Sequence, residues 1–536
     1  MTKNIILSGL AILFALSQAF AELRFKNIYQ SNMLLQADAP NTIAGWTDAN
    51  ASVELVCKAI QKNNQASEKT FTAKADKRGY WEVRLPAFPK RTLFELTAKS
   101  GAENVKINNI ITGELWLGSG QSNMEWNFSA GTVSNDYRAI IQKDIDESNN
   151  EIRFFKSDKN LLARPIDEVP GTWNVVNNSR DGNLSAVGYL FVSRLRKELD
   201  TPVGFINSSW GGSRVEPWIS QKAFEESVDC KDIWAHHLKK IETFEKIRDD
   251  FDNLNAEFIE KYPTRNLQNR NRDKQPPQPY SATNFSAPAA MYNAQIHGIA
   301  PLAPRGVIWY QGESNTNEYH EYGKLIKLLV NSWREYFKTD FHFFYVELAA
   351  FTNKQTRPVE LNRDSWAYIR EAQAEVLELP KTGVAALADT GPKPEPVGDI
   401  HPPYKDVPAD RLARLALAHV YKKMPVNQAI APFYKSHKIE NDKIIVDIDF
   451  AEGLRKKSIS ETLTGFAIRG DNNNEWKWAN AEIKNNKIIL SNPDIKKPEA
   501  ARYGWAKYPL MSVENKHGLP LRQFSTDQGH LNDHKR

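Results

Sequence analysis

The spacing of hydrophobic and polar positions changes character twice along this chain. From about residue 22 to residue 110, short segments such as "ASVELVCKA", "KTFTAKA" and "GYWEVRLPA" alternate apolar and polar positions between polar turns. A period of two with frequent turn signals predicts an N-terminal β module. From "NNIITGELWLGSG" onward, apolar runs appear instead: "EIRFFK", "TPVGFINSSW", "RGVIWYQGES", "FHFFYVELA" and "TGVAALADTG". They alternate with segments whose apolar residues lie three and four apart, such as "VGYLFVSRLRKEL" and "GKLIKLLVNSWREYF". That alternation predicts an α/β domain over 111–425, a parallel sheet flanked by helices. After "RLARLALAHVYKK", period-two segments return ("KIIVDIDF", "LTGFAIRG", "EIKNNKIILS"), so 426–536 reads as a second, sandwich-like β module. Within it "NNNEW" and "KNNK" predict hairpin turns. Residues 221 to about 285 interrupt the α/β pattern with a charged helical run, "FEKIRDDFDNLNAEFIEKY", and a Pro-containing stretch. They read as an insertion whose charges are a solvated face.

Composition narrows the partners. The 536 residues carry 70 basic and 65 acidic side chains, a net charge of +5, without a basic stripe interleaved with aromatics. Nucleic acid is therefore a poor candidate partner. The first 21 residues, "MTKNIILSGLAILFALSQAFA", combine one lysine, a short apolar stretch and Ala19-Phe20-Ala21, and read as a secretory signal peptide. No other stretch is apolar for long enough to span a membrane. Cys57 and Cys230 are the chain's two cysteines, and the sequence leaves open whether they pair. Asn-x-Ser sequons begin, among other positions, at Asn127, Asn183, Asn207 and Asn284. Two of them lie on loops with candidate chemistry, where glycans would obstruct a site. A bacterial periplasmic or secreted protein is the expectation.

The chemistry gathers at the ends of the apolar runs. In "GELWLGSGQSNMEW" a buried strand breaks into Gly118-Ser119-Gly120 and then Gln121, Ser122 and Asn123. Such a turn exposes a serine hydroxyl at the carboxyl edge of a sheet, and Ser122 is the candidate nucleophile. A serine needs a base that is itself oriented. In "VGDIHPPYKD", Pro402 biases His401 towards extended backbone, which puts Asp399 and His401 on one face. Asp389, at the end of "GVAALADTG", is a second candidate for the orienting carboxylate. "FINSSWGGSRVEPW" offers the amides of Gly211 and Gly212, and "VIWYQGESN" offers Gln311, Glu313 and Asn315. A glycine amide and the Asn315 side chain suit an oxyanion hole, which needs neutral N–H donors. Glu313 reads as a structural partner of an arginine such as Arg214. Gln121, Gln311, Trp210 and Arg214 are candidate substrate contacts, and Trp126, Trp218 and Trp309 also flank these loops. No HExxH, CxxC or histidine cluster argues for a metal.

Taken in order, GQSNM, the Gly-Gly loop, WYQGESN and DIHP resemble the blocks of the SGNH hydrolases, and more closely their sialate O-acetylesterase branch. The ending "ARYGWAKYP…ENKHGLPLRQFSTD" also recurs there. The resemblance implies an SGNH-like α/β fold with Ser122 as nucleophile, His401 as base and Asp399 orienting it. It further implies an oxyanion hole from the backbone N–H of Ser122 and Gly212 and the side chain of Asn315. The expected reaction is removal of O-acetyl groups from sugars through an acetyl-enzyme, with no metal or organic cofactor. The expected substrate is an O-acetylated sialic acid, its carboxylate met by a cation such as Arg214. Acetylated xylan or another polysaccharide is the alternative substrate, and a non-catalytic carbohydrate-binding protein is the alternative of another class.

Overall fold

The computed structural model describes residues 22–60, 66–128, 135–181, 183–264, 270–271, 274, 276, 280–360, 366–391, 400–403, 405–470 and 473–527. The proposed signal peptide and the turn residues Asp471 and Asn472 before "NNEW" lie outside them. The N-terminal module forms as expected. Tyr80–Leu85 alternates partly covered or exposed with buried positions and pairs with Asn41–Trp46, which also holds Arg24–Phe25. Ser52–Ile60, Ala66–Lys74 and Leu93–Ser100 form the facing sheet.

The boundary expected at 110/111 falls inside a single strand. Glu103–Gly120 runs for 18 residues without a break. Its first half pairs with Leu93–Ser100 in the N-terminal module and its second half is the middle of the α/β sheet. The first half exposes alternate positions to water, whereas Ile110 to Gly120 is buried on both faces. One strand therefore displays two hydropathy textures, and the change between them is not a domain border. The α/β sheet runs in the order Gly171–Val175, Ile152–Ser157, Val203–Ser209, Glu103–Gly120, Gly306–Tyr310, His342–Val346, Thr382–Ala385. Every neighbouring pair is parallel except the antiparallel edge strand Gly171–Val175.

Register positions the site. Gly120 is level with Ser209 on one neighbour and with Tyr310 on the other. The three strands end together, so the turns beginning at Gln121, Trp210 and Gln311 start side by side at the carboxyl edge. Helix Ala186–Leu199 packs with Asp406–Leu415, and Tyr319–Phe337 packs with Trp366–Ala374. The insertion contributes helix Lys231–Lys261, which buries only His237 and Phe258. Cys57 and Cys230 are both free and buried, and burial pushes the Cys57 thiol up to about 11. Asn207 is buried within its strand, where no glycan fits. Among the described residues no helix is long and apolar enough to cross a membrane.

The C-terminal module has its own core around Ile444, Val446, Ile468, Leu490 and Tyr503. Its expected hairpin is present: Asn485 and Asn486 both take positive φ between Asn480–Lys484 and Lys487–Ser491. Trp505 belongs to the main core, and a fully buried Arg370 fastens this segment to the α/β domain. The Arg370 guanidinium donates to the carbonyls of Leu348 and Ala349 on one side and of Ala506 and Lys507 on the other. Replacing it with an apolar residue leaves those acceptors buried and unpaired. Arg370→Met is therefore expected to cost at least about 3 kcal/mol in a urea titration. An unchanged midpoint would contradict that anchoring role.

Candidate active site

Gly120 starts the turn that presents Ser122. Its φ is +132°, and a Cβ there would lie 2.2 Å from the Tyr310 carbonyl oxygen, so the close approach of the two strands requires glycine. Gln121 N–H donates to that same carbonyl at 3.0 Å, and a single helical turn, Ser122–Glu125, follows. His401 arrives from the other end of the domain. Its Nε2 lies 2.8 Å from Ser122 Oγ, a hydrogen bond between residues 279 positions apart. The Trp126 ring stacks on the imidazole, with centroids 4.1 Å apart and planes 20° apart. Trp126 thus packs on the histidine.

The segment leading to His401 is tied to the turn at Ser122 by Asn123, a residue that the sequence pattern did not single out. Its Nδ2 donates to Glu313 Oε1 at 2.6 Å and to the Ile400 carbonyl at 3.2 Å, while its Oδ1 accepts from Lys405 Nζ at 2.6 Å. All three side chains are buried. Lys405 Nζ also sits 5.7 Å from the Trp126 ring centroid. Burial raises the Glu313 carboxyl, opposed by the hydrogen bond from Asn123 and by the charge of Lys405. Glu313 is therefore structural, but its partners are Asn123 and Lys405. The expected pairing with Arg214 does not form, because Arg214 meets Glu216 and Glu318 instead. The position of Asn123 directly after the candidate serine, and of Lys405 four residues past His401, was the available signal.

Asp399 lies outside the described residues. Its rival, Asp389, is bonded to Arg411 at 2.6 and 3.0 Å and to Lys457 at 2.8 Å. Burial alone would raise this carboxyl, but the two cations outweigh it and hold it well below the usual carboxylate range. Both its oxygens are committed to this ion triad.

The Gly-Gly loop abuts the serine: a Cβ on Gly211 would lie 3.3 Å from Ser122 Cβ. Gly211 N–H donates to Glu125 Oε2 at 2.7 Å and is thereby occupied. Gly212, at φ +79°, is exposed, and its amide donates no hydrogen bond among the described residues. Ser122 N–H is likewise unspent within its helical turn. Asn315 departs from expectation. It is fully buried, donating to Glu216 Oε2 at 3.0 Å and accepting from Val215 N–H and Gln311 Nε2. It holds loops together behind the site.

Gln311 and Gln121 do the same. Gln311 is fully buried and bonded to Ser213, Asn315 and Tyr322. Gln121 Oε1 accepts from Ser314 N–H and, at 3.5 Å, from Gly312 N–H. Trp218 and Trp309 are core residues with no exposed surface. Trp210 is half-buried beside Gly211, edge-on to Phe285 at 5.3 Å, with Lys159 Nζ 5.7 Å from its ring. Lys159 and Lys156 both face Glu125, at 2.6 and 3.7 Å. Asp158 faces Lys156 as well, so this flank carries two cations against two carboxylates. Among the described residues no group of three His, Cys, Asp or Glu side chains is arranged to hold a metal ion.

No protein-family model matches the chain. It is 24% identical over 520 residues to the sialate O-acetylesterase of Mus musculus, covering 91% of this chain and 90% of that one. With the sialate O-acetylesterase of Homo sapiens it shares 26% identity over 439 residues, 76% of this chain and 73% of the relative. Among solved structures, a carbohydrate acetylesterase from Xanthomonas citri aligns with a TM-score of 0.74 at 26% identity, over 94% of this chain and 100% of that one. The resemblance read from the four sequence blocks thus extends along nearly the whole chain, and the α/β fold between β modules agrees with it.

The Asn123 tie has a direct test. Ser122 should be labelled by an organophosphorus fluoride, followed by intact mass. Asn123→Ala should slow that labelling about tenfold or more while circular dichroism is unchanged, because a misplacement of about 1 Å is costly in such a pair. Equal rates would show that Asn123 does not hold the pair in place.

Proposed function

We propose that this chain is a serine esterase that removes O-acetyl groups from sugars, with O-acetylated sialic acids as substrates, and that it works outside the cytoplasm after loss of its first 21 residues. The observation that carries the reading is the 2.8 Å contact between Ser122 Oγ and His401 Nε2 at the aligned strand ends. For Nε2 to accept the hydroxyl proton, the neutral ring carries its own proton on Nδ1. Asp399 is the proposed carboxylate for that N–H, since Asp389 is committed to Arg411 and Lys457.

In the first step Ser122 Oγ attacks the acetyl carbonyl carbon as its proton passes to Nε2. The tetrahedral oxyanion meets the amides of Ser122 and Gly212. Its collapse breaks the bond to the sugar oxygen, which takes the proton from the imidazolium. Water, deprotonated by the same nitrogen, then attacks the acetyl-serine and releases acetate. Asn315 supports this hole from behind by fixing Val215, Gln311 and Glu216.

The sialate reading draws support from the names of the relatives and from the two ammonium groups of Lys156 and Lys159 on the Trp210 flank, which a carboxylate could share with Glu125 and Asp158. Arg214 is not that cation, since Glu216 and Glu318 already neutralise it. The same neutralisation favours a second reading, a neutral acetylated polysaccharide such as acetylxylan.

Wild-type protein should hydrolyse an aryl acetate and Ser122→Ala should not; wild-type-like turnover by that variant would end the nucleophile assignment. Acetate release from O-acetylated sialic acid, compared with acetylated xylan, decides the substrate. A preference for xylan would replace the sialate reading with the second one. Burial lowers the Lys156 ammonium to about 8, against the pull of Glu125. As pH rises through about 8, Lys156 loses its charge, while Lys159 still pairs Glu125. KM for acetylated sialic acid should then rise about three- to fivefold, with KM for an aryl acetate flat. Parallel profiles for the two substrates would exclude this flank as the carboxylate's partner.

A further inference from the structure

A cavity of about 400 Å³ opens between the insertion helix Lys231–Lys261 and the loop that carries Gly212. Arg214, two residues beyond Gly212, lines it. So does Glu216, whose Oε2 accepts from Asn315, and so does Ser286, next to Phe285, whose ring lies 3.9 Å from where a Cβ on Gly212 would stand. The cavity is thus tied to the loop of the proposed oxyanion amide through Arg214, two positions from Gly212, and through Glu216, which holds Asn315. Helix Lys231–Lys261 supplies its outer wall, with His237 accepting or donating at 2.7 Å to Tyr280 Oη and Lys240 Nζ 5.3 Å from the Tyr280 ring. An otherwise solvated helix thus holds an aromatic ring at the rim of a polar cavity.

The charges select the ligand. Four carboxylates line the space, Glu216, Asp232, Glu318 and Glu321, against the two cations Arg214 and Lys240. His237 adds no charge at neutral pH, because burial holds it down at about 4. Arg214 is spent on Glu216 and Glu318, yet its Nε–H is buried without a hydrogen bond. A carboxylate entering this cavity would meet an acidic excess. A hydroxyl-rich neutral surface would find acceptors, donors and a ring face together, the mix by which concave sites orient polar ligands.

We propose that this cavity is the subsite for the neutral, hydroxyl-bearing face of the sugar whose ester reaches Ser122, and that the helical insertion exists to build it. A carboxylate, where the sugar carries one, stays outside. This rests on the esterase reading above and adds where the sugar sits.

The test compares an O-acetylated methyl glucoside, O-acetylated sialic acid and an aryl acetate in steady-state kinetics. Tyr280→Ala and Lys240→Ala lie on the outer wall, away from Ser122 and His401, and should leave the fold and the aryl acetate rate unchanged. Each should raise KM for the glucoside about five- to tenfold. Glu318→Gln frees Arg214 and should shift preference towards the sialic acid severalfold. The proposal is overturned if these variants leave both sugars unaffected, or if they depress sugar and aryl acetate alike. Aryl acetate turnover that still depends on Ser122 would then show that only the subsite failed; turnover surviving Ser122→Ala would show that the esterase reading failed.

Discussion

The strand Glu103–Gly120 carries more of this molecule than any other element. Its first half is a wall of the N-terminal module, its second half the middle of the α/β sheet, and its last residue the hinge of the turn that carries Ser122. Because the hydrogen-bonded ladder cannot slip by one residue without turning every side chain to the opposite face, its register fixes the heights of Ser209 and Tyr310 as well. Three loops from distant parts of the sequence are therefore delivered to one edge by backbone geometry alone. Gly120 completes the constraint: only a residue without a Cβ can sit against the Tyr310 carbonyl at this φ.

That sheet edge delivers Ser122 but not His401, which comes from beyond the last strand and has no ladder to hold it. The Asn123–Glu313–Lys405 cluster supplies the missing restraint. Asn123 bonds at once to Glu313, which opens the turn after Gly306–Tyr310, to the carbonyl before His401, and to Lys405 beyond it. An isolated ionised carboxylate or ammonium is expensive to bury, and here each charge is shared through one amide that can both donate and accept. Trp126 closes the arrangement by stacking on the imidazole, with the Lys405 ammonium 5.7 Å from its ring centroid and 5.9 Å from that of Tyr310. The histidine is held by a face, a carbonyl and the serine.

Much of this was legible in the sequence where hydropathy period was the cause. The five apolar runs became Ile152–Ser157, Val203–Ser209, Gly306–Tyr310, His342–Val346 and Thr382–Ala385, and the flanking patterns became helices. The border at residue 110 was misread because period reports which faces are wet, and one strand can be wet on one face and then dry on both. At the candidate site, what turn chemistry made legible is the meeting of Ser122, His401 and the Gly-Gly loop in space. Gln121, Gln311 and Asn315 were misread as groups that meet a ligand. A polar burst at a strand end signals groups that must be satisfied in a dry place, and here they satisfy neighbouring loops. Asn123 and Lys405 were overlooked because neither type is diagnostic; only the convergence of three segments gives them a task.

The charge around Ser122 is uneven, and the unevenness follows from how the Gly-Gly loop is fixed. Gly211 N–H is held by Glu125, so a carboxylate must stand close to the place where an oxyanion would form. Unopposed, that charge would disfavour any developing negative charge nearby. Lys159 and Lys156 offset it on the outer side, with Asp158 also facing Lys156. On the other side Arg214 bridges Glu216 and Glu318, and Glu216 in turn orients Asn315. There the acids outnumber the cations because they serve the loops first. The same hydrogen-bonding obligations that hold the two loops in place thus leave balanced lysines and carboxylates on one flank and an acidic excess on the other.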